Sequence, residues 1–140
     1  MEGPSDLRIG ILGAARIAPA ALIRPSREIE GVRVVAIAAR DAERASAFAR
    51  KHRIPRVHPS YQALIADPEI DAIYNPLPNG LHGEWTIRAL RQGKHVLCEK
   101  PMASNAAEAE RMAAVAEETG RFLVEAFHLS LIHISEPTRL

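Results

Sequence analysis

Residues 7–23 read LRIGILGAARIAPAALI. Apart from Arg8, the run from Leu7 to Leu12 is apolar on both faces, as in a strand covered on both sides. Gly13 interrupts it, and an alanine-rich stretch with helical spacing follows. Pro19 falls near the start of that helix, where a missing N–H costs least. A strand turning tightly into a helix is the opening unit of a wound α/β layer, and the rest of the chain repeats it.

Further short apolar runs are VRVVAIAA (32–39), DAIYNP (71–76), HVLCE (95–99) and RFLVEA (121–126), with a weaker strand near Val57. Helical patterns lie between them. DAERASAFARKH (41–52) opens on Asp41 as an N-cap with Glu43 in the first turn. Arg44 holds the place where a capping box needs Glu or Gln. Ala45, Phe48 and Ala49 share one face of that helix. YQALIADPE (61–69) predicts a shorter helix, and NGLHGEWTIRALRQG (79–93) one that turns Leu81, Trp85 and Ala89 inward and stops at Gly93. SNAAEAERMAAVAEETG (104–120) starts on Asn105 with Glu108 and stops at Gly120, with an inner stripe of Ala106, Ala109, Met112, Ala113 and Ala116. This alternation predicts an α/β fold with a doubly wound, mostly parallel sheet. In such sheets ligands bind beyond the carboxyl ends of the strands, where the strand order reverses.

Composition narrows the function classes. The 140 residues suit one domain, and 47% hydrophobic content suffices for a core. Eighteen Lys and Arg against 17 acids leave a net charge of +1, with no electrostatic drive toward nucleic acid or an anionic membrane. The basic stretch RKHRIPRVH (50–58) lacks interleaved aromatics and reads as a solvated helix end. One cysteine, Cys98, forms no internal disulfide and fits a reducing compartment. The opening MEGPSDLRIG is no secretory signal, and no apolar run approaches the ~20 residues of a membrane span. A cytoplasmic location is expected. The six histidines show no metal-site spacing, there is no G-x-S-x-G elbow, and Cys98 within its strand reads as a small buried hydrophobe.

The strand ends carry the candidate chemistry. In a G-x-G-x-x-G/A phosphate turn, Gly13, Ala15 and Ala18 hold the three small-residue places. Ala18 is compatible with close helix packing. Ala15 departs from glycine and either holds a diphosphate farther out or demands a particular backbone angle. The amides of Gly13, Ala14, Ala15, Arg16 and Ile17 are the expected donors at the positive end of the following helix. The competing reading is a junction that is tight for packing alone. At the second strand end, the acid that would hold an adenosine ribose is missing: the sequence is AARD (38–41), and capping suffices to explain Asp41. Arg40 offers a permanently charged fork for a 2′-phosphate, which favours NADP over NAD.

DAIYNPLPNGLHGEWTIRALRQGKHVLCEKPMA (71–103) resembles the glucose–fructose oxidoreductase / inositol dehydrogenase / MocA-like (Gfo/Idh/MocA) family, particularly its dihydrodiol dehydrogenase-like members. The shared motifs are PLPN-x-LH-x-E and then K-H-V-L-x-E-K-P, and the resemblance spans about residues 7–128. It implies a Rossmann NAD(P)-binding domain over residues 1–128, with Pro76, Leu77 and Asn79 in a loop beside the cofactor and His82 nearby. It further implies that Glu99 engages the nicotinamide ribose. Lys100, partly removed from water, would sit beside the substrate hydroxyl or carbonyl and relay a proton while hydride moves. Some family members have this Lys-Pro bond cis. Simpler readings are an N-cap for Asn79, packing for His82 and a surface ion pair for Glu99 and Lys100. Asn75 stands where many relatives carry an apolar residue.

The implied activity is that of an NAD(P)-dependent oxidoreductase on a secondary alcohol or carbonyl of a sugar, polyol or cyclic diol. A second, substrate-binding α/β domain, through which oligomers could form, is expected in the full-length parent. The family pattern ends near Leu129, and LSLIHISEPTRL (129–140) resembles translated adapter read-through, so a non-native tail and a longer native protein are expected. The 140-residue chain alone should bind dinucleotide weakly and turn over negligibly. A dinucleotide-binding redox sensor without hydride transfer is the alternative from another class.

Overall fold

The computed structural model describes residues 5–126; the expected non-native tail lies outside them. Strands β1 (Leu7–Leu12), β2 (Val32–Ala38), β3 (Arg56–His58), β4 (Ala72–Asn75), β5 (His95–Glu99) and β6 (Leu123–Ala126) form one sheet in the order β3-β2-β1-β4-β5-β6. Every pairing is parallel. The strand order reverses at β1, which pairs with β2 on one side and β4 on the other. This is the doubly wound Rossmann arrangement expected, and its switch point lies just past Leu12.

Both faces of the sheet are buried, as the apolar strands require. Leu12, Ile73, Val96 and Cys98 pack against helices α3 (Tyr61–Ala66), α4 (His82–Arg91) and α5 (Ala106–Thr119) through Leu64, Ile65, Ala89, Leu90 and Val115. On the other face, Ile9, Ile11, Ile37 and Tyr74 pack with Leu22, Ile23 and with Ala45 and Ala49 of α2 (Ala42–His52). Gly10 sets one of these spacings. A Cβ there would lie 2.8 Å from Leu64 Cδ2, so the missing side chain lets α3 sit hard against β1. The ladder between β1 and β2 shifts register at the same point.

The helix after β1 starts as a π-helical turn, Pro19–Ile23, and continues as the short α1 (Arg24–Ser26). Pro19 takes the first helical position, as expected. Pro25 has no N–H to offer the carbonyl four residues back, and the preceding Arg24 N–H bonds Pro19 O, a five-residue step. Other boundaries follow their caps. Asp41 Oδ1 accepts from Glu43 N and Arg44 N, and Asn105 Oδ1 from Glu108 N, while Glu108 Oε2 reaches back to Ser104 N. Gly93 and Gly120 take φ of +80° and +65° at the stops read from the sequence.

Two helix faces differ from expectation. In α5 the buried residues are Met112 and Val115, with Ala106 and Ala113 exposed. In so alanine-rich a helix, residue size does not fix the phase of the stripe, and the branched Val115 turns inward instead. In α4 the buried set is His82, Gly83, Thr86, Ala89 and Leu90. Leu81 and Trp85 lie at its margin, where Trp85 meets Tyr61 edge-on at 5.1 Å and Arg88 lies over its ring. Buried polar groups, which hydropathy places outside, occupy the inner face because each finds a partner there.

Polar side chains tie the sheet together at its amino end. Arg8 grips Asp71 through Nε and Nη2, both at 3.0 Å, and its own amide adds a third bond to Asp71 Oδ2 at 2.9 Å. Lys94 Nζ donates to Asp67 O and Ile70 O, each at 2.6 Å. The bond from the Arg8 side chain holds the Asp71 carboxyl below the usual carboxylate range. Its stabilising contribution is therefore full above the ordinary carboxylate pKa and is lost as pH falls through the depressed value. Asp71→Asn is expected to cost ~1 kcal/mol at neutral pH, a figure reduced for solvent screening. Thermal melts across pH check this: the gap to the parent chain should narrow below about pH 4. A constant gap would show that the carboxylate charge is not what stabilises.

Candidate functional site

The turn after β1 is built around Gly13. Its φ of +81° lies in the left-handed region, and an added Cβ would come within 3.1 Å of Leu77 Cδ2. Glycine is thus required twice, for backbone angle and for space. The Gly13 N–H is taken by Ala38 O at 2.6 Å, so the first of the five amides expected to face a phosphate is already occupied. The next four, of Ala14, Ala15, Arg16 and Ile17, have no acceptor among the described residues. Ala15 needs no left-handed backbone, since Arg53 is the sole non-glycine with positive φ among the described residues. Ala18 is fully buried, as close packing demands.

At the end of β2, Asp41 spends Oδ1 on capping α2. Arg40 is exposed and, among the described residues, has no hydrogen-bond or ion-pair partner. Arg44, noted in the sequence only as an imperfect capping residue, donates from Nη2 to Ala14 O at 3.0 Å. It ties α2 to the β1 turn. A long cation one turn into a helix that starts at the sheet's carboxyl edge was the available signal.

The loop after β4 is fixed by two buried side chains. Asn75 Oδ1 accepts from Leu77 N at 3.3 Å, and its Nδ2 donates to Thr86 Oγ1 at 3.1 Å and to His82 O at 3.3 Å. Asn75 therefore organises this backbone. His82, 1% exposed, faces carbonyl oxygens with both ring nitrogens: Nε2 lies 2.6 Å from Leu77 O and Nδ1 2.8 Å from Pro101 O. It joins the loop after β4 to the segment after β5. Asn79 is exposed and opens a 3-10 turn, Asn79–Leu81, without capping it; α4 itself starts at His82. The N-cap reading of Asn79 is corrected here, because Pro78 occupies the cap position.

At the end of β5, Glu99 is 7% exposed and accepts a 2.6 Å bond from the hydroxyl of Tyr74, itself buried on β4. Burial, then the neighbouring Glu99, push the Tyr74 phenol well up, so it remains a donor at any ordinary pH. Lys100 follows in the exposed position, with a cis bond to Pro101. Its expected partial removal from water is not seen among the described residues, where it is exposed. Met102 N donates to Glu125 Oε2 at 2.7 Å, which anchors this segment to β6. Cys98 is fully buried, and burial pushes its thiol up to about 11, which fits a packing residue rather than a nucleophile.

These strand ends frame a cleft of about 650 Å³, lined by Gly13, Ala14 and Ala15 from the β1 turn, Arg40, Asp41 and Arg44 after β2, Tyr61, and Pro76 to Pro78 with Leu81. Of the other residues singled out in the sequence, Arg16, Ile17, Asn79, His82, Glu99 and Lys100 do not line it. His82 and Glu99 are buried beside the segments they hold, and Asn79 and Lys100 stand in solvent. Unpaired amides, a lone guanidinium and an apolar wall suit a dinucleotide's phosphates and base. A hollow of about 510 Å³ between α1, β2 and α2 lies at the opposite end of the sheet, among Arg27, Arg33 and Arg53, away from these strand ends.

A model of an oxidoreductase family with an NAD-binding Rossmann fold matches residues 7–127. The chain is 45% identical to the NADP-dependent D-xylose 1-dehydrogenase 2 of Haloferax volcanii, over 86% of its own length and 37% of that protein's. It is 43% identical to the trans-1,2-dihydrobenzene-1,2-diol dehydrogenase of Xenopus tropicalis, over 76% of its length and 32% of the relative's. Among solved structures, a 3-ketoreductase of Actinomadura kijaniata in complex with NADP and TDP-benzene superposes with a TM-score of 0.83 at 38% identity, covering 93% of this chain and 41% of that one. The chain thus spans little more than a third of the length of the curated relatives it matches. With the sheet order, the Gly13 turn and this match in agreement, the chain belongs to the Gfo/Idh/MocA oxidoreductase family, whose NAD-binding Rossmann fold it adopts.

Proposed function

We propose that this chain is the cofactor-holding part, residues 1–128, of an NADP-dependent oxidoreductase acting on a secondary alcohol or carbonyl of a sugar or cyclic diol. The observation that supports this most is one cleft lined both by Ala14 and Ala15, whose amides have no acceptor among the described residues, and by an unpaired Arg40, beside an Asp41 that spends Oδ1 on its helix. Relatives named for xylose, a dihydrodiol and a didehydro-dideoxyglucose support the substrate class. They are dehydrogenases and reductases, and nothing on this chain favours the sensor reading.

In this reading the amides of Ala14 to Ile17 bind the diphosphate, and Gly13 keeps the turn open for them. Arg40 binds the 2′-phosphate, while Asp41 spends Oδ1 on capping α2. Pro76 and Leu77 wall the cleft, Asn79 reaches the ribose from the loop rim, and His82 holds that loop against the Lys100 segment. Glu99 orients the nicotinamide ribose. When bound, the cofactor gives hydride to the substrate carbon or takes it. Lys100 gives or takes the proton at the substrate oxygen. Lys100 stands exposed on this chain, so its enclosure and the substrate contacts belong to sequence beyond it.

Two outcomes are expected. Fluorescence titration should find NADPH bound at least roughly tenfold more tightly than NADH, the worth of one charge-assisted contact, and Arg40→Ala should remove that difference. An unchanged preference in the variant would locate the 2′-phosphate elsewhere. Gly13→Ala should destabilise the chain by about 1–2 kcal/mol in denaturant melts, and weaken NADPH binding, because alanine at this angle is strained and meets Leu77. A variant as stable as the parent would show that the turn tolerates a Cβ.

A further inference from the structure

Glu99 is compensated in an unusual way for a buried carboxylate. Among the described residues its one side-chain donor is the Tyr74 hydroxyl, on Oε1, and no lysine, arginine or histidine pairs with it. A carboxylate this far from water normally carries a cation or several donors. Yet every fully buried side-chain nitrogen and oxygen among the described residues has a partner. Oε2, without one, therefore keeps contact with the outside. The register explains where: Asn75, the last residue of β4, stands beside Cys98, so Glu99 is the first residue of β5 past that edge, next to Lys100.

Tyr74 is placed to decide how that carboxylate points. Its ring is locked between β1 and β5, opposite Ile11 and Leu97, and is 1% exposed. Among the described residues its hydroxyl has no partner other than Glu99 Oε1. The rigid ring thus fixes one carboxylate oxygen at the carboxyl end of β5 and leaves the other without a partner among the described residues. We infer that Tyr74 is a positioning residue for the nicotinamide half of the cofactor, holding Glu99 so that its free Oε2 accepts a hydrogen bond from a ribose hydroxyl. This rests on the function proposed above and extends it to a residue that touches no ligand itself. The elevated proton affinity of the buried phenol keeps it a donor throughout the working pH range.

The test compares two ligands on the 140-residue chain: NADPH, and 2′,5′-ADP, which lacks the nicotinamide riboside. Calorimetric titrations use the parent, Tyr74→Phe, Glu99→Gln and the double variant, with melts confirming that each folds. Tyr74→Phe is expected to weaken NADPH roughly fivefold, the scale of one hydrogen bond, and to leave 2′,5′-ADP within about twofold. In the Glu99→Gln background it should add nothing for NADPH. Equal losses for both ligands, or a full Tyr74 effect without Glu99, would overturn the inference and assign Tyr74 to packing alone. If Tyr74→Phe does not fold because it strands a buried charge, the double variant against Glu99→Gln alone decides: no added loss supports the inference, and an added loss overturns it. A parent that binds 2′,5′-ADP but shows no gain from the nicotinamide half defeats this inference and spares the cleft; a parent that binds neither defeats the proposed function as well.

Discussion

The site depends on the approach of Leu77 to Gly13. Leu77 Cδ2 lies where a side chain at residue 13 would need room, so the loop after β4 presses on the turn after β1 at the point where the strand order reverses. That contact persists because the Leu77 backbone is held on both sides, its N–H by Asn75 and its carbonyl by His82. His82 continues the link to Pro101, just beyond Lys100. One buried imidazole thus sets the distance between the loop after β4 and the segment carrying Lys100. Loosening it would free the Pro76–Pro78 wall of the cleft while leaving the sheet intact.

The electrostatics are local rather than global. A net charge of +1 spreads no attractive field over the surface, so anion binding has to come from oriented groups at short range. Unpaired amides after Gly13 and the guanidinium of Arg40 are such groups. Arg44, by contrast, spends a hydrogen bond on Ala14 O and so holds the turn in shape, a reminder that two arginines four residues apart can have separate roles. The acids near the cleft are likewise accounted for: Asp41 caps a helix, and Glu99 is tethered by a phenol.

Much of this was legible in the residues. Apolar runs covered on both faces gave the parallel sheet, and Asp41, Asn105, Gly93 and Gly120 marked helix ends because capping chemistry is local. The strand-end rule then pointed to Gly13, Arg40 and the Pro76–Leu77 loop, which do share one cleft. What stayed hidden depends on pairing across the sheet. Nothing in the neighbours of Tyr74 or Asn75 announces a partner 25 or 11 residues away, and hydropathy reads both as ordinary strand residues. The inner face of α5 was legible only in part, through Met112 and Ala116, since a stripe of alanines has no preferred side until a larger residue such as Val115 selects one. The exposure of Lys100 was invisible too, because burial is a property of what packs over a residue.

The central claim is that the carboxyl ends of β1, β2 and β4 grip a dinucleotide. Backbone amide shift mapping of the isotope-labelled chain, with NADP added stepwise, tests it most directly. The largest movements should fall on Ala14 to Ile17 and Arg40, with smaller ones at Leu77. Movements confined to the hollow of Arg27 and Arg53 at the other end of the sheet, or none at saturating nucleotide, would contradict it.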